Sequence, residues 1–486
     1  MDITKLTAIE TKEIIKKREL SVKELIGSYL DKIDSVDKEI NAFITLNREE
    51  ALKNAEKLDK KIKNGQSLGA LGGLPIGIKD NIVTKDLKTT CGSKMLENFI
   101  PPYDGKVVEK IKKEDGIILG KLNLDEFAMG SSTETSYFGE TKNPINMEMV
   151  PGGSSGGSAA AVKAGEVLLS LGTDTGGSTR QPAAFCDVVG IKPSYGLVSR
   201  YGIVSLANTL DTVGVLGKDV EDAAFFLSTL TGFDPLDSTS SESAKGETIR
   251  ESIVNKNDIN TIKGMKVGLP KEFFQTEIDK GISREVNKAI KILESLGAEI
   301  EEISMPYLEY SLAVYHVIVA AEISSNLARF DGIRYGHRSE DYNTLDELYI
   351  NSRTEALGEE VKRRIMFGTY YLSKSNANSH YERALKIRRL IKEDFDRAFG
   401  KYDILLSPTS PILPFKFGEK MTNPLSMYKA DLFTVPVNLG GLCAMSIPCG
   451  YENGLPVGLQ IIGDRFKEAN IIKAGLALEG GLKNGI

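Results

Sequence analysis

Residues 151–182, PGGSSGGSAAAVKAGEVLLSLGTDTGGSTRQP, constrain this chain more than any other stretch. They hold two glycine–serine clusters, Gly152 to Ser158 and Asp174 to Arg180. Glycine at such density is entropically costly, so a folded chain keeps it where backbone takes unusual dihedrals or must approach something closely. Between the clusters, 159–165 reads as helix and 167–171 as strand. Two loops of small hydroxyl residues joined this way suggest one site with serine chemistry and backbone N–H groups turned inward.

The rest of the chain alternates helix and strand, which predicts an α/β layered fold. Thr7-x-x-Glu10 and Ser21-x-x-Glu24 are capping-box patterns ahead of apolar positions at helical spacing, so 1–65 reads as a helical wrapper. Strands are expected at 76–78, 116–119, 167–171, 265–269, 298–304, 403–406, 443–448 and 455–463. The last two are joined by the turn Glu452-Asn453-Gly454. Helices are expected at 105–114, 219–230, 283–296 and 465–478. Residues 308–399, helical at 308–330 and 355–399, read as a cap within the same domain. Residues 234–260 are polar and read as a loop. The expectation is one domain over 1–486 with a central mixed sheet.

Several function classes are disfavoured. A formal net charge of −6 gives no reason for nucleic acid to bind this chain directly. The four cysteines, Cys91, Cys186, Cys443 and Cys449, match no zinc spacing and read as reduced thiols of a cytoplasmic protein. No metal site is expected. No apolar run reaches membrane-spanning length.

Three chemistries fit the serines. Gly153-Ser154-Ser155-Gly156-Gly157 matches the G-x-S-x-G nucleophile elbow with Ser155 as nucleophile, but no buried strand precedes it and the histidines, 316, 337 and 380, lie in polar helical surroundings. Neither G-x-G-x-x-G nor G-x-x-x-x-G-K-[ST] is present, which leaves a phosphate loop without support. The third is a serine activated by a neutral lysine whose pKa burial has lowered. Lys79, directly after the apolar run Ile76 to Ile78, supplies that base, although alone it would read as a snorkelling surface lysine.

These residues also carry a resemblance. GGLPIGIKDNI at 72–82, KLNLDEFAMGSSTETS at 121–136, PGGSSGGSAAAV at 151–162 and GTDTGGSTRQPAAFCDVVGIKPSYG at 172–196 resemble the amidase signature family, over essentially the whole chain. RFDGIRYG at 329–336, EVKRRIMFGTYYLS at 360–373, DILLSPTSP at 403–411 and PCGYENGLPVGLQIIG at 448–463 resemble its tRNA-dependent amidotransferase branch.

The resemblance implies a Ser–cis-Ser–Lys triad: Ser178 as nucleophile, Ser154 as relay after a cis peptide, and Lys79 as base. It implies an oxyanion hole from the N–H groups of Thr175, Gly176, Gly177 and Ser178, with Ser155 structural. The implied substrate is free glutamine, its carboxylate held by Arg364 (beside Arg363), its ammonium by Asp431, with Tyr315 lining the pocket. No cofactor is implied in this chain. ATP and Mg²⁺ would serve a partner, the B subunit, which binds the tRNA and takes the ammonia to convert Glu-tRNA(Gln) to Gln-tRNA(Gln). The small C subunit would complete a heterotrimer. A free-standing amidase and an inactive scaffold are the alternatives. Ile145, Asn208, Thr212, Val215 and Cys443 depart from the family's frequent Trp, Ser, Gln, Pro and Pro, which bears on local packing and not on the proposed triad.

Overall fold

Strand β1 spans Phe43–Leu46, β2 Pro75–Lys79, β3 Ile117–Leu122, β4 Leu169–Asp174, β5 Val189–Lys192 and β6 Thr212–Gly217. Then follow β7 (Lys266–Pro270), β8 (Glu299–Ile303), β9 (Ile404–Pro408), β10 (Cys443–Glu452) and β11 (Leu455–Gly463). The computed structural model describes residues 3–243, 247–254, 262–420 and 424–485. Among the described residues these strands form one 11-stranded sheet, ordered β1-β3-β2-β4-β6-β5-β10-β11-β9-β7-β8. β2 runs parallel to both β3 and β4, and β7 runs parallel to both β8 and β9. The remaining pairings are antiparallel.

The parallel strands β2, β3 and β4 are buried along their whole lengths, as strands covered on both faces must be. The outermost strand β8 instead exposes Glu299, Glu301 and Glu302, charges that discourage another chain from pairing with a free sheet edge. At the β10–β11 turn, Asn453 and Gly454 both have positive φ, 51° and 76°, the pattern of a two-residue turn whose twist matches its strands.

Every strand expected from the sequence forms, with ends shifted by a few residues. β1, β5 and β6 were not legible there. β5 (VGIK) spans four residues and β6 (TVGVLG) six. β1 corrects the reading of 1–65 as helix alone, because this segment also contributes an edge strand. Both expected capping boxes form, at Thr7 and Ser21. The stretch read as loop at 234–260 contains the helix Glu247–Val254, while its residues 244–246 and 255–260 lie outside the described residues.

The segment 308–399 supplies the helices Ser311–Leu327, Leu345–Ala356, Glu359–Leu372 and Tyr381–Phe399. They bury a second apolar core, with Ile318, Val361 and Phe395 packed in one cluster with Leu124, Phe127 and Met129 from the loop after β3. No helix among the described residues is long and apolar enough to cross a membrane.

The helix Gly156–Ala164 starts at the first glycine–serine cluster and ends at Gly165, in the left-handed region. Glu166 follows, buried, with both carboxylate oxygens unpartnered. Burial, then the charge of Asp37, raises its pKa well above the ordinary value. The folded state therefore keeps a proton that the unfolded chain releases, and stability drains away as pH rises from the unfolded pKa toward the folded one. The stability of Glu166→Gln relative to wild type should rise by up to roughly 1.4 kcal/mol per pH unit across that window. Urea unfolding at several pH values measures it, and a pH-independent difference would refute it.

Candidate active site

Parallel pairing of β2 with β4 brings their C-terminal ends side by side. Lys79 is the last residue of β2 and Asp174 the last of β4. Successive residues of an extended chain face opposite ways. Lys79 accordingly meets the first glycine–serine cluster, while Asp80 turns to a second buried lysine, Lys121 of β3, at 3.0 Å. Lys121 Nζ also donates to the Ile82 carbonyl at 2.8 Å and to Thr89 Oγ1 at 2.7 Å.

Among the described residues Lys79 has no carboxylate partner. Its Nζ donates to Ser154 Oγ and Ser155 Oγ, each at 2.8 Å. The Thr173 carbonyl lies 3.4 Å away. Burial pulls its pKa down to about 7, and Asp125, Asp174 and Asp211 resist from a distance. An ammonium in this setting loses its proton near neutral pH, which is what a general base needs.

The second cluster is shaped by the buried pair Asp174–Arg180, 2.9 Å apart and with no side-chain exposure on either partner. Asp174 accepts from the backbone N–H of Gly177 at 2.9 Å and of Thr179 at 3.1 Å. It also accepts from Arg180 Nε at 3.0 Å and Asn438 Nδ2 at 2.9 Å. Burial alone would raise its pKa, but Arg180 overrules burial and holds the carboxyl far below the usual range. One carboxylate thus winds residues 174–180 around itself. Gly177 has φ 136°, and a Cβ there would lie 2.2 Å from Thr434 Oγ1. Only glycine fits both demands.

The Gly153–Ser154 peptide is cis, as the resemblance implies. The Ser178 carbonyl accepts from Ser155 N at 3.1 Å, joining the two clusters. Lys79 thus meets Ser154 directly, whereas among the described residues no hydrogen bond reaches Ser178 Oγ. Of the expected oxyanion donors Thr175, Gly176, Gly177 and Ser178, Gly177 drops out, because its N–H is spent on Asp174. The Thr175 hydroxyl donates to Asp211 at 2.6 Å, which anchors the loop from the other side. Tyr315 closes over Gly176, where a Cβ would fall 2.5 Å from the tyrosine ring and hydroxyl.

Arg364 is buried on the helix Glu359–Leu372, whereas the side chain of Arg363 is 38% exposed. Arg364 Nε donates to Glu360 Oε1 at 2.7 Å, and its guanidinium lies 5.4 Å from the Tyr428 ring centre. Tyr428 also donates to Glu360 Oε1, at 2.7 Å. Asp431 accepts from Ser131 Oγ at 2.5 Å through one oxygen, and its other oxygen is buried without a partner among the described residues. Burial raises Asp431 to about 7. Burial pushes the Tyr315 hydroxyl pKa up, and the charge of Arg364 opposes it while that of Asp431 adds to it.

Sequence reasoning missed Asp174, Arg180, Glu360 and the role of Ser155, which accepts from Lys79 as closely as Ser154 does. The signal for Asp174 and Arg180 lay inside the second cluster, where two opposite charges flank five small residues.

A model of the family described as Amidase matches residues 24–472. The chain is 54% identical over 479 residues to the A subunit of a glutamyl-tRNA(Gln) amidotransferase from Caldanaerobacter subterraneus, covering 99% of this chain and 97% of that one. The corresponding A subunit from Clostridium botulinum is 52% identical, covering 96% and 95%. Among solved structures, the A subunit of a glutamyl-tRNA(Gln) amidotransferase from Thermotoga maritima superposes with a TM-score of 0.79 at 40% identity, covering 97% of this chain and 94% of that one. The peptide amidase of Stenotrophomonas maltophilia gives a TM-score of 0.82 at 27% identity, covering 98% and 96%.

Removing one partner of a fully buried ion pair strands the other charge. Asp174→Ala should therefore cost about 3–5 kcal/mol of stability, and Asp174→Ala with Arg180→Met together should cost less than the single change. Denaturant unfolding of the three proteins measures this. A double variant less stable than Asp174→Ala would refute it.

Proposed function

The chain belongs to the amidase signature family, and from that premise we propose that it is the glutamine-hydrolysing subunit of a tRNA-dependent amidotransferase. One observation carries the chemistry: a buried lysine with a pKa near 7 and no carboxylate partner, 2.8 Å from a serine hydroxyl, beside a loop of glycine and serine. The near full-length similarity to the A subunits of such amidotransferases supports the choice of glutamine over other amides.

In this reading Ser178 Oγ attacks the side-chain carboxamide of glutamine. Its proton passes to Ser154, and Ser154 passes its own to neutral Lys79. The amide oxygen becomes an oxyanion beside the N–H groups of Thr175, Gly176 and Ser178. One such donor is typically worth about 3–4 kcal/mol in the transition state. Protonated Lys79 returns the proton through Ser154 to the leaving nitrogen, and ammonia departs from an acyl-Ser178. Water, deprotonated by the same relay, then releases glutamate. Arg364 binds the substrate carboxylate, Asp431 its ammonium, and Tyr315 lines the pocket.

Ammonia goes to a partner, the B subunit, which holds the tRNA and uses ATP and Mg²⁺ to form Gln-tRNA(Gln) from Glu-tRNA(Gln). The small C subunit holds the two together in a heterotrimer. The net charge of −6 fits a chain that leaves tRNA to its partner.

Ser178→Ala and Lys79→Ala, each assembled with the partner subunits, should abolish glutamine-dependent tRNA amidation while ammonia-dependent amidation survives. Loss of both nitrogen sources together would refute the division of labour. With wild type, kcat for glutamine should fall as pH drops through about 7, because Lys79 gains the proton it must be free to accept. A kcat that stays flat from about pH 8 to about pH 6 would remove Lys79 as the base.

A further inference from the structure

Glu126 is a buried acid that the chemistry above does not use. It follows Asp125 in the loop after β3, and the two carboxylates serve opposite sides. Asp125 Oδ2 lies against Gly153, where a Cβ would be 2.1 Å away, and so against the peptide leading into Ser154. Glu126 reaches the other way. Its Oε2 accepts from the N–H of Gly358 at 2.8 Å, and its Oε1 from Ser93 Oγ at 2.5 Å. The same serine hydroxyl lies 3.3 Å from the Ala356 carbonyl.

Gly358 is the N-cap of the helix Glu359–Leu372, which carries Arg364 and Glu360. No side chain of its own caps that helix. A carboxyl oxygen at a helix N-terminus accepts from N–H groups that the helix itself leaves unsatisfied. Space at the contact is tight, since a Cβ on Gly358 would fall 2.3 Å from Glu126 Oε2. The backbone of Glu126 is fixed as well. Its N–H donates to Thr135 Oγ1 at 3.1 Å, and that hydroxyl donates to Asp125 Oδ1 at 2.9 Å. The neighbouring Phe127 packs against Phe330, ring centres 4.9 Å apart and planes tilted by 40°, within the core shared with Val361 of the same helix. Burial raises the Glu126 carboxyl to about 7, against the hydrogen bonds from Ser93 and Gly358 and the charge of Lys362 on that helix, which lower it.

We infer that Glu126 is a positioning residue: it locks the helix Glu359–Leu372 to the loop behind Ser154, and so sets where Arg364 meets the carboxylate of the substrate. This rests on the assignment of Arg364 proposed above. Glu126 touches neither substrate nor the reacting atoms. Its effect is on binding, and only on substrates that own a carboxylate for Arg364 to hold.

The test uses the assembled complex and two substrates, glutamine and γ-aminobutyramide, which is glutamine without its α-carboxylate. Glu126→Ala should raise KM for glutamine about tenfold with kcat within about twofold, the pattern of lost ground-state binding. Its kcat/KM for γ-aminobutyramide should be unchanged. Gly358→Ala displaces the carboxylate from the helix side. It should reproduce the KM defect and, if Glu126→Ala folds poorly, carries the test alone. The two changes combined should be no worse than the stronger one, since both break one contact. Equal losses on both substrates, or an unchanged KM for glutamine, would overturn the inference. Arg364→Ala separates the two readings. If it leaves KM for glutamine unchanged, the assignment of Arg364 fails. If it raises KM while the Glu126 and Gly358 variants do not, only the positioning role fails.

Discussion

Everything at this site depends on a lysine buried without a counter-ion. Three cationic side chains near the ends of β2, β3 and β4 are fully buried, and their partners separate them. Lys121 has Asp80 at 3.0 Å and Arg180 has Asp174 at 2.9 Å, whereas Lys79 has two serine hydroxyls and a carbonyl. A buried charge persists when a carboxylate compensates its lost hydration, and otherwise the group becomes neutral. Pairing therefore reserves Lys121 and Arg180 for architecture, while lack of pairing leaves Lys79 poised to take up a proton. Strand geometry achieves the sorting, because the acid next to Lys79 in sequence faces away from it.

The sheet and the helical segment 308–399 divide the remaining work. In the proposed mechanism, the sheet holds the reacting groups on rigid strand ends and on loops wound around buried charge. The helical segment contributes Tyr315 and Arg364, both on helices packed so closely that a Cβ on Gly368 would strike the Ala320 carbonyl at 1.9 Å. Loop residues 124–129 lie between the two bodies and share the second apolar core. On the proposed roles, chemistry and recognition sit on different layers that meet over the second glycine–serine cluster.

Much of this was legible in the sequence. Glycine density located both loops, and the lysine after Ile76 to Ile78 supplied a base once serines were in view. Periodicity gave most strands because buried parallel strands are continuous apolar runs. It failed at β6 and at the four-residue strands β5 and β1, the last of these inside a helical pattern. The difference in burial between Arg363 and Arg364 could be seen only in the structure, since on one helix adjacent residues point about 100° apart. Gly177 could not be excluded as an oxyanion donor until its N–H was seen on Asp174. Contacts between residues distant in sequence, such as Glu126 with Gly358, leave no local pattern at all.

The carboxylates around Lys79 explain why its pKa stops near 7. Burial of an amine drives the proton off, and nearby negative charge draws it back. Asp174 is firmly ionised by Arg180, so its field on Lys79 is permanent. Asp125 and Asp211 are raised by their own burial, so their contribution weakens as they take up protons. A fully ionised carboxylate in contact with Lys79 would fix the ammonium and remove the base. With none nearby, the amine would remain neutral but bind the transferred proton too weakly to draw it from a serine. Holding Asp174 close enough to be felt and too occupied to pair meets both limits, and the same five hydrogen bonds from Gly177, Thr179, Arg180 and Asn438 that keep it occupied also shape the loop that presents Ser178.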